Sequence, residues 1–339
     1  MPDLGPEEEQ AAIEVLRSGF LSEGPRVAEL EQTVARDLGQ NHGVATACGT
    51  AALALCLHAL GVEENSEVVI PSYACTSLLD AVKWAGCAPR VVDVAEKDLV
   101  MEVETVLEAI GPETGAVVLV HNFGNPADLR GLTDVNAPVI EDLAQCIGGG
   151  RDGLRVGEVG VCSVLSFYAT KLLTTGYGGM LVSSDKRLVG RARDLREFDE
   201  REQYERRFHV SLSDLNAAIG LEQWHKLPQF TMRRREIAAR YNEIAGEYAV
   251  RPQGEGVYFR YLIRAPRGAD RAISAFRERG VEAKRPVYRP IHRYLGLDAG
   301  DYPVAEKAHE EIVSVPLYPA LSEDDVGVIV SAMQEVLQL

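Results

Sequence analysis

Short apolar runs alternate with helical patterns from about residue 25 to residue 185. In residues 24–39 the apolar positions Val27, Leu30 and Val34 recur at helical spacing, so we predict a helix that Gly39 ends. The alternation continues with strands at 42–47, 67–71 and 88–94 and with helices at 49–61 and 76–86. Apolar strands separated by helices predict an α/β fold, in which a mainly parallel sheet is covered on both faces.

After residue 185 the pattern becomes helical and charged, in residues 187–207, 213–227 and 230–248. Beyond these, residues 257–265 and 324–339 suggest further strands and helices that do not continue the alternation of the parallel sheet. A chain of 339 residues exceeds one ordinary domain. We therefore predict a large domain over residues 1–235 and a small C-terminal α+β domain over residues 236–339.

The composition is that of a globular protein, with 46% hydrophobic and 25% charged residues. A net charge of −16 argues against nucleic-acid partners and anionic membranes, because both would repel the chain. No apolar run has the length of about 18 residues that spans a bilayer. The acidic N-terminus is unlike a signal peptide, and together with the negative charge it suits a cytoplasmic enzyme. The six cysteines show no C-x-x-C spacing and predict neither a disulfide framework nor a metal site.

Two segments, VIEDLAQ (139–145) and SFYATK (166–171), carry the candidate chemistry. Each places polar side chains after a predicted strand, and ligands of parallel sheets bind at the carboxyl ends of strands. A carboxylate, an amide, a hydroxyl and an amine are the groups needed to hold pyridoxal phosphate. Asp142 would pair with the pyridinium nitrogen, Gln145 would contact the 3′-oxygen, Ser166 would bind the phosphate and Lys171 would form the Schiff base.

A second phosphate-binding element is predicted at residues 49–51. Gly49 and Thr50 open a helix directly after a strand, so the first helix amides, including that of Ala51, form an anion site with the Thr50 hydroxyl. Each feature alone has a simpler interpretation. Gly-Thr is also a common turn and helix cap, Asp142 could cap the helix that follows it, and Lys171 could be a surface lysine. Their occurrence in one chain favours the cofactor site.

Several motifs in a fixed order make the chain resemble a known family. They lie at residues 24–32, 47–55, 67–82, 121–129, 139–145, 166–181, 213–223 and 315–325. The chain resembles the DegT/DnrJ/EryC1/StrS group of sugar aminotransferases, which are fold-type-I pyridoxal-phosphate enzymes, over nearly its whole length. The resemblance implies a large domain with a mainly parallel seven-stranded sheet and a homodimer with active sites at the interface.

The family reaction moves an amino group, usually from glutamate or glutamine, to a keto group on a nucleotide-linked sugar or a cyclitol. The resemblance assigns the internal Schiff base to Lys171, which would also move the proton between substrate and cofactor carbons. Relatives that dehydrate sugars commonly replace this lysine by histidine, so Lys171 favours transamination. Elimination or aldol cleavage of an amino acid starts from the same bound cofactor and stays open, and a non-catalytic regulatory role is the least favoured alternative.

The chain departs from the family at positions that touch the cofactor. Cys75 stands where many members have an aromatic residue that stacks on the pyridine ring, so Tyr73 or another group could cover the ring instead. His209 occupies the position nearest to an asparagine that reaches the phosphate bound by the neighbouring subunit.

Other departures concern the substrate. Tyr177 lies in the glycine-rich loop 174–179, where it would line the substrate pocket or sit on the surface. In the family, the segment that corresponds to the basic residues 284–294 lies near the substrate entrance, with His292 close to it. Its charges would suit a diphosphate or a carboxylate, or they are solvated at a loop or strand edge. His121 follows another strand and is either near the cofactor or a core residue.

Overall fold

A computed structural model describes residues 2–128, 130–132, 135–198 and 202–338. The strands of the described residues are β1 (His42–Thr46), β2 (Glu67–Pro71), β3 (Ala88–Val92), β4 (Thr114–Val120), β5 (Val139–Asp142), β6 (Gly150–Arg151), β7 (Leu154–Arg155), β8 (Cys162–Ser166), β9 (Gly179–Ser183), β10 (Ala249–Val250), β11 (Tyr261–Arg264) and β12 (Ile312–Val315). The α-helices are α1 (Pro6–Ser18), α2 (Pro25–Asp37), α3 (Gly49–Ala59), α4 (Ser77–Trp84), α5 (Val103–Ala109), α6 (Lys186–Arg196), α7 (Asp214–Ala245), α8 (Ala269–Glu278), α9 (Ile291–Leu295), α10 (Pro303–Glu311) and α11 (Glu323–Gln338).

Seven strands form the large sheet, in the order β1-β9-β8-β5-β4-β2-β3. Strand β9 runs antiparallel to both of its neighbours, and the other described pairings in this sheet are parallel. This confirms the predicted α/β fold with a mainly parallel seven-stranded sheet. Because parallel strands end at the same edge, the residues after β1, β2, β4, β5 and β8 gather there.

The core lies on both faces of this sheet, as the unbroken apolar strands require. Along β8, Val164 belongs to the cluster that contains α3 and α4, whereas Leu165 belongs to the cluster that contains α2 and the start of α7. Along β9, Leu181 belongs to the first of these clusters and Met180 to the second. Adjacent strand residues therefore supply opposite faces, and helices cover both.

Helix α7 is longer than its sequence pattern suggests. The segments 213–227 and 230–248 appear as separate helical patterns, yet residues Asp214–Ala245 form one helix with Pro228 inside it. An internal proline costs about 3 kcal/mol. Leu227 and Phe230 on either side of it are buried, and this burial offsets that cost. The helical pattern expected up to residue 207 is also wrong in part, because α6 ends at Arg196 and residues 202–212 are not helical.

A second, antiparallel sheet of β10, β11 and β12 packs against α8, α11 and the C-terminal half of α7. In its core, the rings of Tyr241 on α7 and Tyr261 on β11 meet edge to face with centroids 5.1 Å apart. Phe276 and Met333 belong to the same cluster. This arrangement matches the α+β pattern expected near the C-terminus, while the boundary between residues 235 and 236 stays a prediction, since it falls inside α7.

Among the described helices, none combines the length and the apolar character needed to cross a lipid bilayer. The six cysteines are free thiols. Four of them are buried, whereas Cys48 is half-buried and Cys75 is exposed.

Candidate active site

A cavity of about 560 Å³ opens at the carboxyl edge of the large sheet. Its walls combine the ends of strands, the start of α3 and the segment around residues 286–289. Eight of the residues predicted for the site line it: Gly49, Thr50, Cys75, Asp142, Gln145, Ser166, Lys171 and Tyr177. Residues more than 120 positions apart in sequence therefore meet in one cavity, as the parallel topology predicts.

Asp142 is the last residue of β5 and directs a carboxylate into this cavity. Its Oδ1 accepts a hydrogen bond from the Ala144 N–H at 2.8 Å. Burial raises the pKa of Asp142, because the charged form loses its water, and the attraction of Lys171 opposes that rise. The carboxylate therefore lacks part of the positive charge that would fully stabilise it.

Lys171 lies on the same cavity, after β8. Its Nζ stands 5.5 Å from the centroid of the Phe259 ring. Burial lowers the pKa of Lys171, while Asp142 opposes this shift and Arg260 adds to it. A lowered pKa leaves more of the amine neutral, and the neutral amine is the form that attacks a carbonyl.

The start of α3 packs tightly against the end of β8. A Cβ added to Gly49 would lie 2.7 Å from the Cβ of Ser166, and one added to Gly179 would lie 2.4 Å from the backbone of Cys48. Thr50 lines the cavity, whereas Ala51 is buried and its N–H donates to the Cys48 Sγ at 3.4 Å. The two glycines thus permit a close approach that leaves a small polar recess at the helix start.

Gln145 is held by the backbone that follows β4. Its Oε1 accepts a hydrogen bond from the Phe123 N–H at 3.0 Å. Phe123 has a φ of 59°, a left-handed conformation that is uncommon for a residue other than glycine. Such strain is often found at functional sites, where the surrounding structure maintains it.

Asn122 is a cavity residue that the sequence interpretation missed. Its Nδ2 donates to the Tyr73 carbonyl at 2.7 Å, and its buried Oδ1 has no hydrogen-bond partner among the described residues. Asn122 follows the apolar strand β4 just as closely as other site residues follow their strands, so its position was the available signal. Arg260 also lines the cavity and was missed, because nothing in the local pattern distinguishes it from other arginines.

Two aromatic candidates for contact with the cofactor lie elsewhere. Tyr73 is fully buried, and its hydroxyl donates to the Ala308 carbonyl at 3.2 Å, so the idea that it covers the cofactor ring is wrong. His121 is also fully buried, with Nε2 3.0 Å from Glu141 Oε2 and Nδ1 accepting the Ala127 N–H. Of the two environments considered for His121, it therefore occupies the protein core. Cys75, by contrast, is exposed on the cavity wall.

The structure does not bring His292 to the cavity. Its side chain is fully buried, with Nδ1 2.6 Å from Ser72 Oγ and Nε2 2.8 Å from Glu306 Oε1. Both ring nitrogens are occupied, and the ring stacks on Tyr302. A contact between His292 and substrate therefore has no geometric support, because the two hydrogen bonds commit the ring to the fold.

Tyr177 and His209 occupy exposed positions. Tyr177 is 66% exposed, lines the cavity and meets the Tyr168 ring edge to face at 5.2 Å. His209 lies outside this cavity and packs against the Phe198 ring at 4.0 Å. The role expected for His209 concerns a neighbouring subunit, and it stays a prediction.

The residues of the cavity fit pyridoxal phosphate. The Asp142 carboxylate lacks a full counter-charge, which a protonated ring nitrogen would supply. The recess beside Gly49 and Ser166 suits a phosphate group at a helix N-terminus. Within the described residues, no cluster of three or more His, Cys, Asp or Glu side chains offers a metal site.

The model of the DegT/DnrJ/EryC1/StrS aminotransferase family matches residues 2–334. The chain belongs to this family. Among its relatives, the spore coat polysaccharide biosynthesis protein SpsC of Bacillus subtilis (strain 168) is 30% identical over 374 residues, which cover 100% of this chain and 96% of SpsC.

Solved structures of the family agree with this assignment. The aminotransferase TlmJ from Streptoalloteichus hindustanus is 33% identical, with a TM-score of 0.92 over 99% of this chain and 97% of TlmJ. DesV of S. venezuelae, solved with a ketimine intermediate, is 28% identical, with a TM-score of 0.91 over 98% of this chain and 95% of DesV. This DegT/DnrJ/EryC1/StrS enzyme is thus a fold-type-I aminotransferase that uses pyridoxal phosphate.

The close packing at Gly49 gives a first prediction. Gly49→Ala should weaken pyridoxal-phosphate binding by about 10- to 100-fold, since overpacking of this kind costs about 1–3 kcal/mol. Equilibrium dialysis of the apoenzyme with the cofactor measures this change. Gly190→Ala on α6 is the matched control, because an added Cβ meets nothing within 4 Å there. Wild-type cofactor affinity in Gly49→Ala would contradict the assignment of this recess to the phosphate.

Proposed function

We propose that this aminotransferase takes an amino group from glutamate or glutamine. The acceptor is the keto group of a nucleotide-linked sugar or of a related cyclic ketone. Its relative SpsC is named as a polysaccharide biosynthesis protein, which supports a sugar acceptor. The basic segment 284–294 supports an anionic substituent on that acceptor, because Arg289 reaches the cavity wall while Lys284 and Arg285 line an adjoining recess.

The observation that carries this proposal is the presence of Lys171 and Asp142 on one cavity wall, with each group's pKa shifted by burial and opposed by the other's charge. When bound, pyridoxal phosphate supplies an electron sink for the substrate carbanion. Lys171 would hold the cofactor through its Nζ, and its amine would supply the base that moves a proton at the substrate carbon. Asp142 would favour the charged form of the ring nitrogen, and Gln145, whose Oε1 is engaged by the Phe123 N–H, would offer its Nε2 to the 3′-oxygen.

Lys171 also bears on the competing reaction. A histidine at this position could move a proton but could not hold the cofactor covalently. A residue with these two properties favours dehydration of the sugar. The lysine amine performs both tasks. Its presence in the cavity supports amino transfer as the reaction of this chain.

Amino transfer predicts a defined spectral response. The wild-type holoenzyme should lose its visible cofactor band when glutamate or glutamine is added and regain it with a keto acceptor. Lys171→Ala should bind the cofactor without an adduct that borohydride can trap, because the amine that forms the bond is missing. Absorbance and mass spectrometry measure the two effects.

Lys186→Ala, at an exposed lysine of α6, is the control and should keep the trapped adduct. A wild-type band that persists with every amino donor would argue against transamination and for lyase chemistry. Absence of the band from protein soaked with pyridoxal phosphate would contradict the cofactor assignment itself.

We also propose a homodimer with the cavity near the interface. Phe20, Leu21 and Tyr177 are large side chains with 64%, 51% and 66% exposure. They lie on neighbouring segments, since the Asp214 N–H donates to the Leu21 carbonyl and Asn216 Nδ2 donates to the Tyr177 carbonyl. Exposed apolar side chains beside a cavity mouth are typical of an interaction surface.

A charge on this surface should disrupt the dimer. Phe20→Glu is expected to shift the protein from dimer to monomer in analytical ultracentrifugation, because burying an unpaired carboxylate at an interface is costly. Leu107→Glu on α5 is the control, with a leucine of similar exposure at 49%. A wild-type protein that sediments as a monomer at micromolar concentration would refute the dimer.

A further inference from the structure

Arg260 is a cation on the cavity wall that the cofactor assignment leaves without a role. It is mostly buried, yet its guanidinium makes no hydrogen bond or ion pair with another residue in the described parts of the chain. Arg234, which is also buried, differs in this respect, because its guanidinium donates to the carbonyls of Tyr258, Phe259 and Leu317. Burying a charge that has no hydrogen bond or ion pair is costly even beside an aromatic ring such as that of Phe259, so a cation held in this way points to an anionic ligand.

The charges of the cavity wall also favour an anionic ligand. Among the described residues that line the cavity, Asp142 is the one carboxylate, whereas Lys171, Arg260 and Arg289 are cations. Arg289 is exposed, donates to the Arg293 carbonyl and lies over the Tyr294 ring. The cofactor engages Asp142 and Lys171 under the proposed function. Arg260 is then the buried cation that a substrate would meet.

The position of Arg260 relates it to the reacting centre. Its Cζ lies 5.3 Å from the Phe259 ring centroid, and Lys171 Nζ lies 5.5 Å from the same centroid. The Arg260 N–H donates to the Phe123 carbonyl at 3.2 Å, which fixes its backbone beside the end of β4. The charge of Arg260 lowers the pKa of Lys171. The predicted phosphate recess, by contrast, is built from α3 and β8.

We propose that Arg260 binds the α-carboxylate of the amino donor. This proposal rests on the proposed function and names a specificity residue for it. In an amino acid the α-carboxylate is attached to the carbon whose amino group is exchanged, so it must lie close to Lys171 when the donor binds. A guanidinium pairs with a carboxylate through two parallel hydrogen bonds, which fixes orientation as well as affinity. Arg260 therefore selects α-amino acids over simple amines as donors.

The test uses 2-methylglutamate, a donor analogue that has no α-hydrogen and so binds the holoenzyme without completing the transfer. Its α-amide, in which a neutral carboxamide replaces the α-carboxylate, is the matched ligand. Affinities are read from the change in cofactor absorbance, so they do not depend on turnover. The variants are Arg260→Gln, Arg260→Lys and, as control on the same strand region, Arg264→Gln, whose side chain pairs with Glu311 instead.

Arg260→Gln should weaken 2-methylglutamate binding about 10- to 100-fold, since a charge-assisted pair of this kind is lost. Binding of the α-amide should change little, and Arg260→Lys should recover part of the affinity. Arg264→Gln should behave as the wild type. The cofactor content of all variants, measured by absorbance, should stay unchanged.

Three results would overturn the assignment of Arg260: equal affinity in Arg260→Gln and wild type, an equal loss for both ligands, or loss of the cofactor from Arg260→Gln. The last result would mean that Arg260 serves the cofactor. A wild-type holoenzyme that responds to no amino donor would overturn the proposed function, and the role of Arg260 with it. Failure of the Arg260 assignment alone would leave amino transfer intact.

Discussion

The site depends on one electrostatic constraint, which is that a carboxylate and an amine line the same cavity. Burial raises the pKa of Asp142 and lowers that of Lys171, while their mutual attraction opposes both shifts. Neither group is fully stabilised by the other, so each can still interact with a bound molecule. A cofactor that carries a basic ring nitrogen and an aldehyde satisfies both groups at once.

The fold produces this arrangement through the direction of its strands. Asp142 ends β5, and Lys171 follows β8, which pairs in parallel with β5. Parallel neighbouring strands have their carboxyl ends at the same edge of the sheet, so the segments that follow β5 and β8 lie close together. Gly49 and Gly179 then allow α3 to approach β8 and β9 closely, which leaves the recess at the start of α3 where we expect a phosphate to bind. The catalytic geometry is thus a consequence of topology, and the recess is a consequence of missing side chains.

Much of this could be predicted from the sequence, because strand periodicity and strand-end positions are local signals. The mainly parallel sheet and six of the residues that line the cavity followed from such signals, whereas Cys75 and Tyr177 were identified through the family resemblance. His292 differed, since its burial depends on Ser72 and Glu306, which are distant in sequence. Arg260 was missed for the same reason, because an unpaired guanidinium is recognised only when its surroundings are known. Helix α7 continues through Pro228 because the burial of its neighbouring side chains outweighs the low helix propensity of proline.

The central claim is that the charge of Asp142 acts on the ring nitrogen of the cofactor. It is tested most directly by the rate of the glutamate half-reaction in Asp142→Ala, reconstituted either with pyridoxal phosphate or with its N-methyl analogue, whose nitrogen is permanently charged. The rate should lie about 10- to 100-fold below wild type with the natural cofactor and should recover much of that loss with the analogue. An unchanged rate in Asp142→Ala, or no recovery with the analogue, would contradict this claim.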